Sequence, residues 1–118
     1  MIYIKNKKNY KGPGYYIGRP GPLGNPFSHL YYGLGEIKVK SRDESVDRYN
    51  EWLECQLKSN TLAKKEIDKL VRIAELDDLT LICWCKPERC HGDIIKEVIE
   101  KILKEKDNNK DKDKEYEK

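Results

Sequence analysis

The sequence predicts an α/β domain: a small Rossmann-like three-layer sandwich with a mostly parallel sheet. Apolar runs and helical stripes follow one another as strand, strand, helix, helix, strand, helix, the order of a sheet covered by helices. Leu79-Thr80-Leu81-Ile82-Cys83-Trp84-Cys85 is an unbroken run of strand length, as in a strand buried on both faces. A chain of 118 residues sustains one core and therefore one domain.

The elements can be justified in order. Residues 1–4 are an apolar run and read as the first strand, and 5–11 as a basic loop. Tyr15-Tyr16-Ile17 reads as a second strand that stops at Gly18. From Gly18 to Pro26 the chain is too rich in Gly and Pro to be regular. Pro20, Pro22 and Pro26 each push the preceding residue toward extended backbone, so this loop is stiff. Residues 27–34 fit no single template, and Ile37-Lys38-Val39 alternates like a short strand. Ser41 with Glu44 has capping-box spacing. Val46, Tyr49, Leu53 and Leu57 then recur at helical intervals, giving a helix over about 42–58. Ile67, Leu70, Val71 and Ala74 mark a second helix over about 63–76, broken at Asp77-Asp78. The run from Leu79 is the last strand, ended by Pro87. A helix opens at Cys90 or His91 with Ile94, Ile95, Val98, Ile99, Ile102 and Leu103 as its apolar stripe. The folded domain is placed at 1–104. Residues 105–118 are a charged tail, disordered or a frayed helix end.

Composition narrows the function. No apolar stretch approaches the roughly 20 residues of a membrane span, and the N-terminus lacks the pattern of a signal peptide. A cytoplasmic protein without a membrane partner is expected, its four cysteines reading as thiols rather than disulfides. The balance of 24 basic and 21 acidic residues is too even to argue for nucleic acid. The basic run 5–11, although it contains Tyr10, reads as a solvated loop, and nucleic acid is not the expected partner.

Two segments carry the chemistry. The strand–loop–helix passage 81–93 aims backbone N–H groups and a helix dipole at whatever sits above the strand. The loop 16–27 brings a cation, an amide and a ring. In a parallel sheet, ligands sit beyond the carboxyl ends of the strands, where both segments emerge. Arg19 suits bidentate phosphate contact. Asn25 offers a donor and an acceptor to a base edge, or is a turn residue. Phe27 stacks on a base or packs in the core, and core packing is the simpler reading for Trp84. Cys90 is a thiol at a helix start, His91 a donor to phosphate or a helix-start histidine, and Gly92 a backbone donor. Asp93 caps the helix and is placed to meet ribose hydroxyls or to act as an acid/base. Cys83, Cys85, Cys90 and His91 are zinc-type ligands, but Cys83 and Cys85 sit in a strand rather than on a turn; neither a metal nor a cofactor is expected.

Ile17, Gly18, Arg19, Gly24, Asn25, Pro26 and Phe27, followed by Cys83, Trp84, Cys85, Pro87, Cys90, His91, Gly92 and Asp93, resemble the domain-of-unknown-function family 4326 of phage and bacterial proteins. Tyr49 and Leu53 fit that family's middle helix, whereas Gly21 stands where a serine is expected. The resemblance implies a small α/β domain and brings no settled activity. Fold analogy extends it to nucleotide binding, including sequestration of a signalling nucleotide such as an ADP-ribose derivative in phage counter-defence.

The leading expectation is thus a protein that binds a nucleotide-like small molecule through Arg19, Asn25, Phe27, Cys90, His91, Gly92 and Asp93. A homodimer or higher homo-oligomer is one way for so small a domain to complete a pocket. An N-glycosidase or nucleotide hydrolase on the same ligands is the second reading, and a nucleic-acid or protein interaction module the third.

Overall fold

In the computed structural model, residues 1–18, 21–28, 37–84 and 90–116 are described. Three strands form a parallel sheet: β1 (Ile2–Asn6), β2 (Tyr15–Tyr16) and β5 (Leu79–Cys83), in the order β1-β5-β2. Ile2 stands beside Leu79 and Asn6 beside Cys83, while Tyr15 and Tyr16 flank Leu81 and Ile82 on the other edge. The strand latest in sequence therefore lies in the middle. Its N-terminal end is tied to the start of the chain by the Leu79 N–H on the Met1 carbonyl, 2.9 Å. A second, two-residue parallel pair joins β3 (Phe27–Ser28) to β4 (Ile37–Lys38).

Local chemistry sets the helices. Helix α1 (Arg42–Leu57) begins at Ser41, whose Oγ accepts the Glu44 N–H at 3.1 Å, and buries Val46, Tyr49 and Leu53 one turn apart. Helix α2 (Leu62–Leu76) is capped in the same way by Thr61 and buries Ala63, Ile67, Leu70 and Val71. Helix α3 runs from His91 to Tyr116. Ile94, Ile95 and Ile99 lie in the core, with Ile102 and Leu103 at its margin. The expected domain boundary at 104 lies inside this helix. Lys106 within it reaches Glu75 of α2 at 2.9 Å, and the charged residues continue the helix backbone to Tyr116.

A parallel sheet is observed, but the described residues do not form a three-layer sandwich. Side chains alternate across a strand. Ile2, Leu79, Leu81 and Cys83 face one core together with all three helices. On the other face Tyr3 and Lys5 are exposed, and Thr80 and Ile82 are only half buried. The chain between β1 and β2 crosses that face as a loop: Gly14 lies so close that a Cβ there would stand 2.7 Å from Ile82 Cδ1. A loop cannot bury the strand as a helix would, so β5 alternates although its sequence is apolar throughout. The run also ends at Cys83 rather than at Cys85, and Trp84, read as a core residue, is 56% exposed.

Candidate functional site

The carboxyl ends of β1, β2 and β5 come together at one edge of the sheet. The loop after β2 and the N-terminus of α3 meet there, as the sequence predicts. Arg19 lies outside the described residues, as do Cys85 and Pro87. The remaining expected site residues are described, and most of them point inward.

Asn25, which is buried, belongs to a closed polar ring. Its Oδ1 accepts the Phe27 N–H at 2.8 Å and its Nδ2 donates to Ser45 Oγ at 2.8 Å. Ser45 Oγ in turn donates to the Phe27 carbonyl at 2.9 Å. The amide that sequence reading offers to a base edge thus holds the loop on α1. Phe27 is 8% exposed, so its ring serves packing. Leu23, also buried, has its carbonyl held by the Tyr49 hydroxyl at 2.7 Å. Burial, with neighbouring Cys90 as the smaller cause, pushes the Tyr49 phenol well above its usual range. It stays neutral and donates. Between these anchors the backbone folds in two successive turns, Gly21 N–H to the Gly18 carbonyl and Gly24 N–H to the Gly21 carbonyl.

The α3 N-terminus holds the other side. His91 Nε2 lies 2.7 Å from the Ile17 carbonyl. A carbonyl only accepts, so Nε2 carries the hydrogen. The imidazole stands edge-on to Tyr49, with centroids 5.1 Å apart. His91 therefore fixes the point at which the chain leaves β2 for Gly18. Cys90 is buried as the residue before the helix, its Sγ 3.6 Å from Cys83 Sγ. Its N–H donates to Asp93 Oδ2 at 3.1 Å, and the Asp93 N–H donates back to the Cys90 carbonyl at 3.0 Å. This reciprocal pair satisfies first-turn donors and sets a carboxylate on the positive end of the helix. Gly92 packs directly under β1 and β2: a Cβ there would stand 3.1 Å from Ile17 Cδ1 and 3.2 Å from Ile4 Cγ2. No group of three or more potential metal ligands occurs among the described residues.

The exposed chemistry at this edge comes from residues that the sequence reading left outside the expected site, Trp84 as a packing residue and Lys7 as part of a solvated loop. Trp84 Nε1 donates to the Tyr16 hydroxyl at 3.0 Å. Lys7 Nζ lies 4.8 Å from the Tyr16 ring centre and 5.5 Å from that of Trp84. Asn6 ties the group together: its Oδ1 accepts the Lys8 N–H at 2.9 Å and its Nδ2 donates to the Trp84 carbonyl at 3.2 Å. Tyr16 folds over Gly18, where a Cβ would collide with its hydroxyl. The one signal for Trp84 was its place at the end of a strand. Ser45 had none, and Tyr49 showed itself only as a hydroxyl on an apolar face, which needs a buried partner.

These features define a class: a small α/β domain with a parallel sheet, whose carboxyl edge is closed by a stapled Gly/Pro loop and a helix N-terminus. The chain belongs to the domain of unknown function family DUF4326, whose model matches residues 2–101. It is also similar to an uncharacterised 12.4 kDa protein in the nrdA-td intergenic region of Enterobacteria phage T4, at 28% identity over 65 residues. That match covers 55% of each chain, so this chain spans about half the length of the curated relative. No solved structure matches. No helix among the described residues is long and apolar enough to cross a membrane.

Proposed function

We propose that the carboxyl edge of the sheet binds a nucleotide or nucleoside-derived small molecule. The observation that carries this reading is the His91–Ile17 contact, which locks the stiff loop to the α3 N-terminus at one end of a parallel sheet. The phosphate then sits by the first turn of α3, where the Gly92 N–H has no acceptor among the described residues. Arg19, one residue beyond Gly18, supplies the cation. Asn25 and Phe27 shape the loop from beneath, and Trp84 with Tyr16 offers the exposed ring surface for a base.

Binding is favoured over turnover. His91 gives its Nε2 hydrogen to a backbone carbonyl, and Asp93 holds the Cys90 N–H. Both groups are engaged in structure, which leaves them poor candidates for acid/base chemistry. Sequestration of a signalling nucleotide is the role that fits, and the similarity to a phage protein makes an ADP-ribose-type ligand the first to try. A second copy completing the pocket belongs to the same proposal and is read from the molar mass in solution.

The test is to denature the purified protein and identify released small molecules by mass spectrometry, then to titrate the stripped protein with nucleotides by calorimetry. Binding that Arg19→Ala abolishes is the expected result. Affinity unchanged by Arg19→Ala counts against the pocket, and turnover of the bound nucleotide replaces sequestration with hydrolysis.

A further inference from the structure

The first 35 residues hold five basic residues and no acidic one, while the rest of the chain is net −2. Seven of the eleven aromatic residues fall in the same 35. Among the described residues, part of this segment is turned outward. Tyr3 and Lys5 stand on the face of β1 opposite the helices, Tyr3 38% exposed with Lys5 Nζ 5.9 Å from its ring centre. At the carboxyl end of the sheet stand Tyr16, the last residue of β2, and beyond it Lys7 and the 56% exposed Trp84. The loop that crosses the face between them carries Lys8 and Lys11.

Two properties set this surface apart from an ordinary solvated one. The first is charge. No acidic residue lies in the first 35 to offset its lysines. Lys5, Lys7, Lys8 and Lys11 have no carboxylate partner among the described residues. Four lysines within seven residues, with no carboxylate among them, raise the local positive potential. The second is order. Trp84 is held in place by hydrogen bonds rather than by burial: its indole N–H on Tyr16, its carbonyl under Asn6. Asn6 also caps the turn that carries the lysines, accepting the Lys8 N–H on its side chain and the Asn9 and Tyr10 N–H groups on its carbonyl. The ring faces and the backbone of the turn that carries Lys7 and Lys8 are thus fixed relative to each other before any ligand arrives.

We propose that this face binds single-stranded nucleic acid, with Trp84 and Tyr16 stacking bases and Lys5, Lys7, Lys8 and Lys11 tracking the phosphates. Ordered rings beside cations that have no carboxylate partner among the described residues match a strand whose bases are unstacked and whose backbone is a polyanion. A duplex hides its base faces and meets only the lysines. The inference goes beyond the small-molecule site although both use the Trp84 and Tyr16 rings, and the lysines tell them apart: Lys8→Gln with Lys11→Gln weakens strand binding and leaves mononucleotide binding unchanged.

The test is fluorescence anisotropy of labelled oligo-dT and oligo-U with the full chain, against a duplex of equal length, over a range of salt concentrations. Binding to single strands is expected, with log K falling against log salt by about 0.7 per phosphate neutralised. Lys8→Gln with Lys11→Gln flattens that slope by about 1.4. Trp84→Ala weakens binding by about 5- to 150-fold with the slope unchanged, and Trp84→Phe restores most of the loss. Trp84 is exposed enough for these variants to fold, which circular dichroism checks. Preference for oligo-dT or for oligo-U tells DNA from RNA within the proposal. No single-strand binding at low salt, equal affinity for duplex, or indifference to Trp84→Ala overturns it.

Discussion

Replacing Tyr49 with Phe removes one oxygen from the centre of the molecule. Tyr49 is fully buried, and its hydroxyl is the donor that holds the Leu23 carbonyl at 2.7 Å. The ring stays, so the packing against Trp52 and His91 stays too. What is lost is a hydrogen bond, and the carbonyl of a buried residue is left without that donor. Such a change costs about 2 kcal/mol, within a range of about 1 to 3. For a chain of this length that is a fall in Tm of about 8 °C. The effect also depends on pH. The native phenol is held above its usual value of about 10, first by burial and then by Cys90. A raised folded-state pKa gives stability that is complete below the unfolded value and is lost as pH rises past it. Wild type therefore loses stability above about pH 10 through a proton that the Phe variant does not have, and the gap between the two narrows there. Urea unfolding of both proteins at neutral and alkaline pH measures this. Equal stability at neutral pH, or a gap that widens with alkali, refutes the reasoning.

Three further substitutions probe the same edge. Ser45→Ala removes one partner each from the Asn25 amide and the Phe27 carbonyl; urea titration is expected to show a loss of about 1–3 kcal/mol. Asp93→Asn removes the carboxylate that faces the Cys90 N–H, and a destabilisation of about 0.5–1 kcal/mol is expected, smaller at high salt. In Gly92→Ala the helix gains up to about 1 kcal/mol from propensity. The added Cβ meets Ile17 and Ile4 at 3.1–3.2 Å, a crowding that costs about 1–3 kcal/mol. Melting is expected to shift down, and a higher Tm would show that the helix is not pressed against the sheet.

The helices were legible because their signals are local. Ser41 and Thr61 cap, the apolar stripes repeat every three or four residues, and α1 and α2 begin within one residue of the expected positions. The strands were legible as runs, but their order was not, since β5 reaches the centre of the sheet through pairings that span the whole chain. The one-sided covering was hidden for a related reason. An apolar run such as Leu79–Cys83 looks the same under a loop as under a helix. Within the site, spacing located the two segments but not the direction of their side chains. Asn25 was read as a base contact or a turn residue and His91 as a phosphate donor or a helix-start histidine; both spend polar atoms on buried groups, Asn25 on Ser45 and the Phe27 N–H, His91 on the Ile17 carbonyl. In a loop of Gly and Pro no periodicity tells inward from outward. Trp84 was misread in the opposite sense, because its strand ends one residue before it.

The most direct measurement is an NMR titration of the isotopically labelled protein with ADP-ribose and a panel of mononucleotides, following backbone amides. The account predicts that one nucleotide-type ligand shifts Ile17, Gly18, Gly21, Gly24 and the first turn of α3 at His91 and Gly92, together with the Trp84 indole. Shifts confined to the far end of the molecule, or no shift with any nucleotide at millimolar concentration, would contradict it.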